Sequence, residues 1–90
     1  MADIGRIRER IAEIAHRKKN VELSEIEWVV NNLGRNGYSV SQRGNEHWII
    51  FRVGERPFTI CPHHKGSKQI KVCYVEEFLD AMEDLDLYES

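Results

Sequence analysis

Residues 38–61 read YSVSQRGNEHWIIFRVGERPFTIC, and three strand signals follow one another within them. YSVSQ (38–42) alternates apolar and polar, HWIIFRV (47–53) is rich in aromatic and β-branched residues, and RPFTIC (56–61) follows a V-G-E-R turn. The last two therefore read as a hairpin. A three-stranded antiparallel sheet needs apolar cover on one face, and helical patterns stand on both sides of this stretch. Upstream, LSEIEW (23–28) reads as a capping box with a staple: Ser24 caps, Glu27 reaches back and Leu23 packs on Trp28. Ile26, Val29, Val30 and Leu33 form the inner face of the helix that follows, and Gly34 with Gly37 supplies its stop. Downstream, Val75, Phe78, Leu79, Met82 and Leu85 recur at helical spacing, predicting a helix from about residue 72 to the mid-eighties. Nearest the N-terminus, Ile4, Ile7, Ile11 and Ile14 make one apolar stripe on a helix ending near HRKKN. The order is helix, helix, three strands, helix, an α+β fold with the second and third helices on one face of the sheet. Residues 1–20 read as an amphipathic helix added to a domain of residues 21–90. The isoleucine stripe must be covered, either by the domain or by a second copy in a homodimer.

At 90 residues, 41% apolar and 31% charged, the chain has the make-up of one globular domain. No apolar run approaches the roughly 18 residues that a membrane-spanning helix needs. The first twenty residues carry charges every few positions, unlike a secretory signal, so no membrane partner is expected and the cytoplasm is the expected location. Cys61 and Cys73 are then expected to be reduced. Charge is unevenly placed. Residues 35–73 hold seven basic groups (Arg35, Arg43, Arg52, Arg56, Lys65, Lys68, Lys71) and two acidic ones, a balance of +5. Residues 74–90 hold seven acidic groups and no basic one, which hides the basic segment in a total of −2. Such asymmetry points to an anionic ligand for the middle segment, with solvated loop charge as the competing account.

Three groups of side chains are candidates for chemistry. His47 stands beside a Gly-containing turn at the start of a strand, and histidine's ionisation near neutrality suits general acid or base work on a ribose hydroxyl. Against this, single histidines are usually structural. Cys61, His63, His64 and Cys73 are all zinc-ligand types, but their spacing matches no zinc pattern. They read better as two small buried cysteines and two surface histidines, with no metal site. The cations Arg35, Arg43, Arg52, Lys65, Lys68 and Lys71, spread over strands, a loop and a helix start, could track phosphates across a duplex groove, with Lys71 just ahead of a helix N-terminus. Trp28 and Trp48 read as core. There is no Walker-type glycine loop, no G-x-S-x-G elbow and no outstanding carboxylate pair.

Together these blocks resemble the HicA family of toxins from bacterial toxin–antitoxin pairs. LSEIEWVVNNLGRNGYSV is similar to the family's opening helix and its glycine-aromatic step into the first strand. RGNEHWIIFR resembles its glycine-then-histidine strand, and ICPHH through KQIKVCYVEEFLDAM resembles its V-P-x-H, loop and helix-start pattern. The likeness spans roughly residues 21–83. It implies a double-stranded-RNA-binding-domain-like α-β-β-β-α fold. It also implies a metal-independent ribonuclease acting on messenger RNA, with one essential histidine, no cofactor and a HicB-type antitoxin as inhibitor. Carried over, His47 is that histidine, and Arg43, Arg52, Lys65, Lys68 and Lys71 would contact RNA. Two departures stand out. The family's common form puts histidine second after glycine, whereas here Glu46 is second and His47 third; and the third helix is acidic where many members are basic. The alternative reading is the same fold as an inactive RNA- or protein-binding module, and a third is a structural protein dimerising through its isoleucine stripe.

Overall fold

A computed structural model describes residues 3–45, 47–61 and 69–89. Helix α1 (Ile4–His16) leads through a short 3₁₀ turn at Lys18–Asn20 to helix α2 (Leu23–Arg35). Strands β1 (Val40–Gly44), β2 (Ile49–Val53) and β3 (Arg56–Ile60) follow, and helix α3 (Val72–Asp84) closes the order. The fold class is α+β, as the periodicities predict. The sheet is antiparallel in the order β1-β2-β3, with Phe51 opposite both Gln42 and Phe58, and Ile50 opposite both Arg43 and Thr59. Alternation then separates two faces. Phe51, Val53, Phe58 and Ile60 are buried on the inner one, while Ser41, Arg43, Arg52 and Pro57 on the outer one are exposed.

Helix α3 packs chiefly on β3, α2 on β1 and β2, and α1 rests on α2 and α3. Phe51 stacks on Phe58 at 5.4 Å between ring centroids, and Phe58 meets Phe78 of α3 edge-on at 5.5 Å, which joins the two layers. Ile7, Ile11 and Ile14 are fully buried within this one chain and belong to the same core cluster as the sheet. At about 1.5–3 kcal/mol for each such side chain removed from water, the stripe is satisfied by the chain's own helices and gives no apolar reason for a second copy. Among the described residues, no helix is long and apolar enough to cross a membrane.

Two local expectations need correction. Helix α2 begins two residues earlier than the Ser24 box predicts: Glu22 is the N-cap, and its N–H donates to Glu25 Oε2 at 2.9 Å. Tertiary pairing selects this register. Ile70 N–H donates to the Val21 carbonyl at 3.0 Å and Glu22 bridges Gln69, holding residues 21–22 extended so that the helix starts at Leu23. The second correction is Trp48, which is 37% exposed rather than in the core; Trp28 is half-buried, with the Arg10 guanidinium 4.7 Å from its ring centroid.

Helices α2 and α3 end alike. In each, the second residue past the cap donates back to the carbonyl of the third-last helical residue (Tyr38 to Leu33 at 3.1 Å, Leu87 to Met82 at 2.8 Å). The left-handed position is Gly37 in the first case and Asp86, with φ 61°, in the second.

Candidate functional site

The hairpin joining β1 to β2 carries His47 and is built on two residues. Gly44 has φ 151°, and it lies so close to the returning strand that a Cβ would fall 2.7 Å from the Ile49 Cα. Asn45 then organises the loop. Its N–H donates to the Trp48 carbonyl at 2.8 Å, while its side-chain Oδ1 accepts from the N–H of His47 at 2.8 Å and of Trp48 at 3.3 Å. The side chain thus stands in for a backbone acceptor, as asparagine does in turns. His47 is exposed, and its backbone is fixed from within its own loop. Asn45 was missed as a positioning residue, although the Gly-Asn pair ahead of a strand is the signal for it.

The antiparallel register brings the ends of β1 and β3 and the start of β2 together, since Gly44 and Ile60 both stand opposite Ile49. The His47 hairpin therefore lies at the same end of the sheet as Cys61. Helix α3 begins there too: Tyr74 in its first turn lies beside the Cys61 thiol, whose influence is the main cause that raises the phenol above its ordinary value. Lys71, exposed N-cap of α3, joins this end with its side chain uninvolved in capping. Arg43 is one residue from the hairpin on the outer face, opposite Ile50; Arg52 shares that face farther along, opposite Ser41 and Pro57. Arg35 closes α2, and Gly34 beside it approaches Val40 at the start of β1, so Arg35 belongs to the opposite end of the sheet. Lys65, Lys68, His63 and His64 lie outside the described residues.

Cys61 and Cys73 are free thiols. Cys61 is half-buried, but Cys73 is exposed, contrary to the reading of two buried cysteines. The inward positions of α3 are Val75, Phe78, Leu79 and Met82, and Cys73 falls off that stripe. Among the described residues, no group of three or more His, Cys, Asp or Glu side chains is placed to hold a metal ion. A groove of about 580 Å³ lies elsewhere, lined by Arg8, Glu83, Asp86, Tyr88 and Glu89. Its carboxylates suit no polyanion. The outer sheet face, by contrast, is open and presents Arg43 and Arg52 to solvent.

No family model, curated protein or solved structure matches the chain.

Proposed function

We propose that this protein is a ribonuclease of the HicA kind, cleaving messenger RNA with His47 as general base and no metal. The observation that supports this reading is the seat of His47, an exposed imidazole on a loop pinned by Asn45, one strand end away from Arg43 and Lys71. In the proposed reaction the neutral imidazole takes the proton of a 2′-hydroxyl and the 2′-oxygen attacks the adjacent phosphorus. The bond to the 5′-oxygen breaks, and water supplies that oxygen's proton. Arg43 and Lys71, with Arg52 beyond them, stabilise the charge that gathers on the phosphoryl oxygens. A HicB-type antitoxin is the proposed inhibitor, acting by covering this face.

One observation favours a second reading, that of an RNA-binding module without catalysis. Strand β2 starts at Ile49, and counting back by alternation pairs position 47 with Ile49 and Phe51 rather than with Ile50 and Arg52. His47 stands in a bend outside the strand, where alternation no longer fixes direction. His47→Ala separates the readings. Under the ribonuclease reading it lowers cleavage by about 10²- to 10⁴-fold and relieves the growth arrest caused by overexpression, with RNA affinity and melting temperature unchanged. Wild-type protein that binds RNA but neither cleaves it nor arrests growth leaves the binding module as the function.

A further inference from the structure

We propose that Trp48 is a stacking platform for an unpaired nucleobase, so that the outer sheet face takes single-stranded rather than duplex RNA. This rests on the RNA reading above and adds the residue that selects the form of RNA. Among the described residues, Trp48 is the one large hydrophobic side chain left exposed, at 37%. Elsewhere the chain covers its large apolar groups, with three phenylalanines and the inner isoleucines all but fully buried. A single part-exposed indole is ordinary by itself and becomes informative through what stands beside it.

Its surroundings say what that is. The Asn45 N–H bond to the Trp48 carbonyl carries the pairing of Gly44 with Ile49 one step past the end of the strand, which His47 in its bend does not share, and this step puts Trp48 on the side of Ile50, Arg52 and Arg43. Arg43 is the diagonal cross-strand neighbour, about 7–8 Å away and within reach of a long side chain. The half-buried Ile50 comes between Trp48 and Arg52 along the strand. An apolar strip flanked by the guanidinium groups of Arg43 and Arg52 fits a ligand that offers a flat π-face and a phosphate in alternation. A base inside a duplex has both faces stacked on its neighbours, and the A-form major groove is too deep and narrow for side chains to read. Only an unpaired base offers its face to an indole at a hairpin tip. The backbone of Trp48 is already held at both its N–H and its carbonyl by Asn45, so little ordering remains when the base arrives.

The test uses the full chain and a short, uncleavable 2′-O-methyl oligoribonucleotide, offered single-stranded and as a duplex. In a Trp28→Phe background Trp48 is the sole tryptophan. Its emission is expected to be quenched as the single strand saturates and to change little with the duplex. In the otherwise wild-type chain, Trp48→Ala should weaken single-strand binding roughly 5- to 150-fold, with Trp48→Phe keeping most of the affinity. Circular dichroism melting of both variants checks that they fold. Unchanged single-strand affinity in a folded Trp48→Ala overturns the proposal while leaving the RNA reading intact, and so does equal binding of duplex and single strand. Emission that responds only to protein concentration, without RNA, also overturns it and assigns Trp48 to contact between copies. A wild-type chain that binds neither form removes the RNA reading and this inference together.

Discussion

A Cβ placed on Gly44 would fall against the Trp48 carbonyl oxygen and 2.7 Å from the Ile49 Cα, both backbone atoms that cannot swing aside. It would also sit at φ 151°, a conformation that L side chains rarely adopt. Gly44→Ala is therefore expected to cost about 1–3 kcal/mol through strain at a single position. Because the displaced atoms belong to the loop carrying His47 and Trp48, the proposed RNA cleavage should fall as well. Urea denaturation and an activity assay check the two parts, and an alanine variant with wild-type stability would show that the hairpin relaxes freely. At this scale legibility was mixed. The glycine, the histidine and the cations were visible as types in a pattern. Trp48 reads as core because its neighbours Ile49, Ile50 and Phe51 make an apolar run; only the structure shows that Trp48 precedes the strand and is part-exposed.

The elements themselves were legible because each carries its own period, 3.6 in the isoleucine stripe of α1 and close to 2 in the sheet. What a period does not give is its boundary. The start of α2 was set by pairing between residues 21–22 and 69–70, segments far apart in sequence. That start has a consequence for pH. Arg17, just past α1, holds Glu25 in the first turn of α2 with Nη1 and Nη2 of its guanidinium, and Glu25 also accepts from the Glu22 N–H. The Arg17 hydrogen bond is the main reason the Glu25 carboxyl titrates below its ordinary value, with burial opposing and the Glu22 N–H assisting. A depressed carboxyl contributes stability that is complete above its unfolded pKa of about 4.3 and is lost as pH falls through the lower folded value. Glu25→Ala is expected to cost about 1 kcal/mol at neutral pH, for a half-exposed ion pair together with a cap. The difference from wild type should close as the pH drops well below 4.3. Denaturant midpoints from pH 7 to pH 3 check this, and a difference that stays constant across the range would assign the loss to packing rather than charge.

Seen whole, the molecule separates its charges. Arg43 and Arg52 lie on the outer sheet face and Lys71 at the sheet's hairpin end, while exposed Glu76, Asp80 and Glu83 lie on α3, behind the inner face. The opposed balances of residues 35–73 and 74–90 were readable from the chain, but that Arg43 and Arg52 stand on the face away from α3, while Arg56 pairs with Asp84 of that helix, needed the sheet register and the packing of α3 on β3. This separation predicts how the proposed RNA binding responds to salt. A single strand held by phosphate contacts from Arg43, Arg52 and Lys71 should lose affinity with a slope of log K against log salt of about −0.7 for each contact, or about −2 for the three. Replacing any one of them with alanine should lower affinity at low salt and flatten the slope by about 0.7. Arg35→Ala, at the far end of the sheet, should leave the slope unchanged, which controls for net charge alone. Trp48→Ala should lower the affinity at every salt concentration without altering the slope, because stacking releases no counterions. Fluorescence anisotropy of a labelled strand at several salt concentrations measures all of these. Equal flattening by Arg35→Ala and Arg43→Ala would mean that the basic segment acts as a diffuse field rather than as a face.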